Sequence, residues 1–256
     1  MIKVNNLTKI YKKNNLKGTN FLALDDVSIH IKQGVTLGLI GESGCGKSTL
    51  GRAILKLISL DKGMIYFNNI DITKYSQKDM IALRKDMQII FQHPDTSLNP
   101  SKTILFSLFE PILIHKLMNK NDALLEIKKY LTYVGLKEEL LSRYPHQLSG
   151  GQIQRIALAR ALILKPKFIV LDEATSMLDV SVQAQIIELL NKIKKELSVT
   201  YLFISHDLDL VNNFCDEVAV MHKGNIIEKG KVSKIYNNAT NDYTKKLIEA
   251  FKILAK

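Results

Sequence analysis

Nine consecutive residues, Gly41-Glu42-Ser43-Gly44-Cys45-Gly46-Lys47-Ser48-Thr49, combine three glycines with a lysine and hydroxyl side chains. They fit the pattern G-x-x-x-x-G-K-[ST]. A loop so short of Cβ atoms can wrap until successive backbone N–H groups converge on phosphate oxygens. Lys47 is placed to reach the terminal phosphates and the Ser48 hydroxyl to ligate Mg²⁺. A helix starting at that point turns its dipole and its unpaired N–H donors toward the same anion.

Two further groups bear on phosphate chemistry. Asp172 closes the apolar run Phe168-Ile-Val-Leu-Asp172. A carboxylate at the carboxyl end of a strand is well placed to hold Mg²⁺, directly or through water. Glu173, one residue on, points differently and could accept a proton from an attacking water. Leu148-Ser149-Gly150-Gly151-Gln152 opens a helical pattern, with Ser149 as N-cap and two glycines that allow close backbone approach. One nucleotide does not need two helix-end anion sites. Two copies of the chain facing each other would use both.

The elements around these residues read as alternating units. VTLGLIG (35–41) is a mostly apolar strand, followed by Leu50, Ile54 and Leu57 at helical spacing. A helix from Ile153 to Leu164 stops at Lys165-Pro166 and precedes the FIVLD strand. A stripe of Val182, Ile186, Leu189, Leu190, Ile193 and Leu197 precedes the strand TYLFIS (200–205). Apolar strands separated by helices predict an α/β fold on a mostly parallel sheet with helices on both faces. IKVNNLTKIYK, ALDDVSIHIKQG, GMIYFNNIDI and VAVMHKGNIIEKG alternate and are punctuated by Gly, Asn and Asp, so they are expected to be antiparallel. The middle, roughly 95–147, is helical by pattern.

Composition adds bounds. The chain has 256 residues, 46% hydrophobic and 24% charged, which suits one large domain with a subdomain. No apolar run approaches the roughly 18 to 20 residues that span a bilayer, and the first residues carry no signal-peptide pattern. Cys45 and Cys215 form neither a disulfide framework nor a metal cluster. These features predict a cytoplasmic chain. The net charge of +11 is spread over dispersed lysines without a basic, aromatic-studded stripe, which argues against nucleic acid as a partner.

Five elements follow in order: GESGCGKST (41–49), Gln92 after MQIIF, LSGGQ (148–152), FIVLDE (168–173) with SMLD (176–179), and His206 in FISHD. Together they resemble the nucleotide-binding subunit of an ATP-binding cassette (ABC) transporter, over nearly the whole chain. FQHPDTSLNP (91–100), YPHQLSGGQIQRIALARAL (144–162) and LDVSVQAQI (178–186) are similar to the ATPases of peptide and nickel importers. NDYTKKLIEA (241–250) resembles a Pro-Tyr-Thr segment common there, with Asp242 in place of the proline. Many peptide-type ATPases look longer, with a cysteine-bearing extension, so a nickel-type subunit is an equal expectation.

The resemblance implies roles residue by residue. Tyr11 would stack on adenine. Gln92 would sense Mg²⁺ and the attacking water, and His206 would contact the γ-phosphate and orient Glu173. Asp179 would link two active sites across a dimer, and Cys45 would act through its backbone N–H. It implies a P-loop core with an antiparallel β subdomain (1–94 and 148–256) and an inserted helical subdomain (95–147). It also implies ATP and Mg²⁺ as cofactors, and membrane permease subunits, a second ATPase subunit and, indirectly, an extracytoplasmic solute-binding protein as partners. The expected activity is ATP hydrolysis that drives import, at the cytoplasmic face of the membrane. An export ATPase, or an ATPase acting on nucleic acid or ribosomes, is the alternative.

Overall fold

A computed structural model describes residues 1–12 and 20–254. The chain forms two compact units, residues 1–80 with 200–256, and residues 81–199.

In the first unit, β1 (Ile2–Tyr11), β2 (Phe21–Ile31), β4 (Lys62–Phe67) and β5 (Ile70–Asp71) make an antiparallel sheet in the order β2-β1-β4-β5. Burial alternates along β1, as expected for a sheet with one covered face. A second group of strands surrounds β3 (Thr36–Ile40), which is buried throughout. β3 pairs in parallel with β8 (Thr200–Ile204) on one side and with β9 (Glu217–His222) on the other. β10 (Asn225–Lys231) pairs antiparallel with β9. The expectation that β9 belongs to an antiparallel hairpin therefore holds only on its β10 side. Its centre, Val218 to Met221, is fully buried beside β3, and such a strand reads as a continuous apolar run.

One helix follows β3 in the chain and another packs against it. α1 (Lys47–Ile54) follows β3 directly, and Leu57, expected on its apolar stripe, lies beyond its end and is largely exposed. α7 (Leu208–Phe214) packs so closely that a Cβ at Gly38 of β3 would meet Val211 Cγ1 at 2.9 Å and Cys215 Sγ at 3.0 Å. Phe214 packs edge-on to Phe203, with ring centroids 5.2 Å apart. The Asp216 carboxylate accepts from the Thr36 N–H at 2.6 Å and pins the start of β3. α8 (Val232–Asn238) and α9 (Asp242–Leu254) complete this unit.

α2 (Gln77–Arg84) carries the chain into the second unit. There β6 (Met87–Ile90) and β7 (Phe168–Asp172) pair in parallel, Met87 opposite Phe168. Four helices accompany them: α3 (Ile104–His115), α4 (Lys120–Tyr133), α5 (Gly150–Leu162) and α6 (Val180–Leu197). Residues 95–147 contain no strand. α5 carries the apolar centre, with Ile156, Leu158, Ala159 and Leu162 fully shielded from solvent. Its polar residues are tied down as well. Arg160 pairs with Glu110 at 2.5 Å and donates to the Ser97 carbonyl at 2.9 Å, and Arg155 donates to the Val134 carbonyl at 2.8 Å.

Candidate functional site

The glycine loop leaves β3 at Ile40 and enters α1 at Lys47. Gly41, Gly44 and Gly46 all have positive φ, at 149°, 79° and 112°. At Gly41 an added Cβ would lie 2.1 Å from the Met221 carbonyl oxygen, so the loop presses directly on the backbone of β9. The Gly224 N–H donates to the Cys45 carbonyl at 2.9 Å and fixes the loop from the β9–β10 turn. Burial pushes the Cys45 thiol up, opposed by the nearby Lys47 charge, so this side chain is held as a neutral thiol.

Lys47 is only 5% exposed. Its Nζ donates to the carbonyls of Gly41 at 2.8 Å and Glu42 at 2.9 Å and lies 3.9 Å from Cys45 Sγ. The ammonium is thus held over its own loop. α3, α4, α5, α6 and α7 all begin with a side-chain cap, from Thr103, Asn119, Ser149, Asp179 and Asp207 respectively. α1 has Gly46 at its N-cap, with no side-chain cap and no acidic residue in its first turn. An anion is the partner such a helix end accepts. Ser48 and Thr49 follow in that first turn.

Also in the first unit, Tyr11 ends β1 as a residue 39% exposed, with the Lys9 ammonium 5.4 Å from the ring centre. An open aromatic face of this kind can stack on a base. His206 follows β8 and is exposed. The next residue, Asp207, caps α7 through a bond from the Leu210 N–H at 3.0 Å.

In the second unit, Asp172 closes a strand buried at every position and is itself 5% exposed. Glu173 has φ +51°, a left-handed conformation that a non-glycine residue adopts at a cost of order 1 kcal/mol or more. The Glu173 carbonyl accepts from Ser176 N at 3.1 Å and from Ser176 Oγ at 3.0 Å. Gln92 Nε2 donates to the same Ser176 hydroxyl at 3.4 Å. Ser176 therefore joins Gln92 to the Glu173 turn, a role that its place in SMLD did not disclose.

At the start of α5, Ser149 Oγ accepts from Gln152 N at 3.3 Å while Gln152 Oε1 accepts from Ser149 N at 3.0 Å, a complete capping box. Gly151 is needed for packing: a Cβ there would meet Val182 Cγ1 of α6 at 2.8 Å. Gly150 remains exposed at the helix tip. Asp179 caps α6 by accepting from Val182 N at 3.0 Å.

In the first unit Ser48 carries a hydroxyl oxygen, and in the second Gln92 carries an amide oxygen and Asp172 a carboxylate. Among the described residues no group of three or more His, Cys, Asp or Glu side chains could enclose an ion. Hard oxygen donors without an all-protein cage fit Mg²⁺, which keeps water and phosphate oxygens in its coordination.

The sequence profile of the ABC transporter family matches residues 24–176 of this chain. The chain belongs to the ABC transporter family. It is an ATP-binding cassette, an ATPase, with the α/β P-loop fold of that family. It is 44% identical over 251 residues to an oligopeptide transport ATP-binding protein of Streptococcus mutans, matching 98% of this chain and 81% of that protein. It is 45% identical over 228 residues to a glutathione import ATP-binding protein of Pectobacterium atrosepticum, matching 89% of the cassette and 37% of that longer protein. Among solved structures it resembles the dimeric, post-hydrolysis cassette MJ0796 bound to ADP and Pi, with a TM-score of 0.82 and 30% identity over 91% of this chain and 99% of the other. It is likewise similar to cbiO1 of Clostridium perfringens, with a TM-score of 0.79 and 30% identity over 100% of this chain and 98% of the other. No helix among the described residues of the cassette is long and apolar enough to cross a membrane.

Proposed function

We propose that this cassette hydrolyses ATP to energise import of a peptide-class solute through separate membrane permease subunits. The observation that carries the nucleotide part is the uncapped N-terminus of α1 behind a glycine loop and a buried lysine. The import direction and solute class are supported by relatives named for oligopeptide transport and glutathione import.

Two cassettes pair, and each holds one ATP. The loop Gly41–Thr49 cradles the phosphates through its backbone N–H groups, and Lys47 leaves the Gly41 and Glu42 carbonyls for the terminal phosphates. Tyr11 stacks on adenine. Ser149, Gly150, Gly151 and Gln152 of one copy face the γ-phosphate held by the other, and Asp179 connects the two sites. Ser48, Gln92 and Asp172 are the residues that would hold Mg²⁺, and the ion would supply neutralisation of the charge that develops on the phosphates. Glu173 takes the proton of the attacking water, with Gln92 and Ser176 fixing its turn and His206 directing its carboxylate. The helical segment 95–147 transmits closure to permease helices at the cytoplasmic face of the membrane, and an extracytoplasmic binding protein delivers the solute.

Uptake tests this reading. Cells lacking the chain are complemented with the native form or with Glu173→Gln, and accumulation of a labelled dipeptide and of labelled nickel is measured. Dipeptide uptake restored by the native chain alone is the expected result. Restoration of nickel uptake instead would assign a metal importer, and restoration of neither would overturn import of these solutes.

A further inference from the structure

α6 buries one stripe, Ile186, Leu190 and Ile193, and turns another face outward. Gln185, Glu188, Lys192, Lys195 and Glu196 recur at helical spacing on that face. Together with the end of α4 and Arg155 of α5 they line a cleft of about 680 Å³, the size of a small-molecule site.

The frame of this cleft is tied down. Arg155 joins α4 to α6: its Nη1 donates to the carbonyl of Val134, the C-cap of α4, at 2.8 Å, and its Nη2 to Gln185 Oε1 at 2.9 Å. Gly135, at φ +76°, leaves room for the guanidinium, since an added Cβ would stand 3.3 Å from Nη1. Tyr133, near the end of α4, donates its hydroxyl to Glu196 at 2.6 Å, and the Lys192 ammonium lies 4.6 Å from the centre of the same ring. A frame held in this way is preorganised, so a ligand need not order it.

The charges are not used up by the frame. Arg155, Lys192 and Lys195 bring three cations to the cleft, against the carboxylates of Glu188 and Glu196. Tyr133 engages Glu196, whereas among the described residues no ion pair holds Glu188 or Lys195. Positions 188 and 195 are two helical turns apart, about 10 Å along the axis. A free amino acid is too short to reach both ends, and an extended peptide of two or three residues spans about 7–10 Å. Val134 and Leu189 supply apolar wall between the two charges.

We propose that this cleft binds a short zwitterionic peptide, with its ammonium on Glu188, its carboxylate on Lys195 and its side chains against Val134 and Leu189. None of these residues belongs to the nucleotide machinery, so the cleft is a second ligand site on the chain.

The test is calorimetric titration of the full chain with three probes: alanyl-leucine, its N-acetyl form, which lacks the ammonium, and its C-terminal amide, which lacks the carboxylate. Alanyl-leucine should bind, and each blocked form should bind about three- to tenfold more weakly, the range of one lost hydrogen bond. Lys195→Gln should cause the same loss for alanyl-leucine and none for the amide, and Glu188→Gln the same loss for alanyl-leucine and none for the N-acetyl form. Both side chains are exposed, so both variants should melt at the native temperature. Absence of binding, equal binding of the three probes, or losses that do not follow the missing charge would overturn the proposal. With ADP and Mg²⁺ added, the affinity for alanyl-leucine should be unchanged; competition would put the peptide at the nucleotide site and overturn the proposal as well.

Discussion

Replacing Gly46 by alanine places a methyl group where the structure has no room for one. Gly46 has φ +112°, and an added Cβ would lie 2.3 Å from the Ala23 carbonyl oxygen and 2.9 Å from the Met221 methyl. The methyl can rotate aside, but the β2 backbone cannot. Backbone strain of about 1–3 kcal/mol adds to overpacking of about 1–3 kcal/mol, so a loss of roughly 2–6 kcal/mol is expected. Gly44 supplies the control, since it has φ +79° and no heavy atom within 4 Å of its added Cβ. Gly44→Ala should cost only the left-handed strain, about 1–2 kcal/mol. Urea unfolding of the two variants and the native chain measures both values, with an unchanged m-value showing that the unfolded reference is the same. Gly46→Ala should also weaken ATP binding, because Gly46 begins α1 and sets where Lys47 starts. If Gly46→Ala is no less stable than Gly44→Ala, the close approach of the loop to β2 does not hold and the reasoning fails.

Lys47→Ala should reduce ATP affinity by about 100-fold or more, since it removes charge-assisted bonds to the phosphates; calorimetric titration showing near-native affinity would refute the phosphate cradle. Ser149→Ala should cost about 1 kcal/mol by opening the capping box of α5, and an unchanged urea midpoint would show that the cap contributes nothing. Burial opposes the Glu228 carboxylate, yet the bonds from Thr240 and Asn241 outweigh it and hold its carboxyl below the ordinary value of 4.5. Its folded form is therefore the better acid, so its stabilisation is complete above about pH 4.5 and is lost as the pH falls through the lower folded value. Hydrogen exchange at Thr240 and Asn241 should accelerate over that acid range, and Glu228→Gln should remove the acid dependence.

What the sequence determined is local. A strand, three glycines, a lysine and an amphipathic stripe follow one another within 35–54, so β3, the phosphate loop and α1 were legible from spacing alone. The Ser149 cap of α5, the acid at the end of β7 and the apolar run of β8 were legible for the same reason, since each rests on neighbours a few residues away. What lies outside this range was decided by tertiary structure. β9 looks like half of a hairpin until it meets β3, because strand pairing joins Leu37 to Glu217 and Leu39 to Ala219, and no periodicity encodes a partner so far along the chain. Gly151 reads as a ligand contact, and only the packing of α6 shows that Val182 fills the space. The left-handed turn at Glu173 breaks the usual preference of its residue type, and Ser176 and Gln92 support it from positions that propensity does not connect. Tyr243 and His222 are the extreme case. A short polar stretch late in the chain says nothing of β9 or β10, and its ring reaches His222 because Glu228 of β10 holds the start of α9.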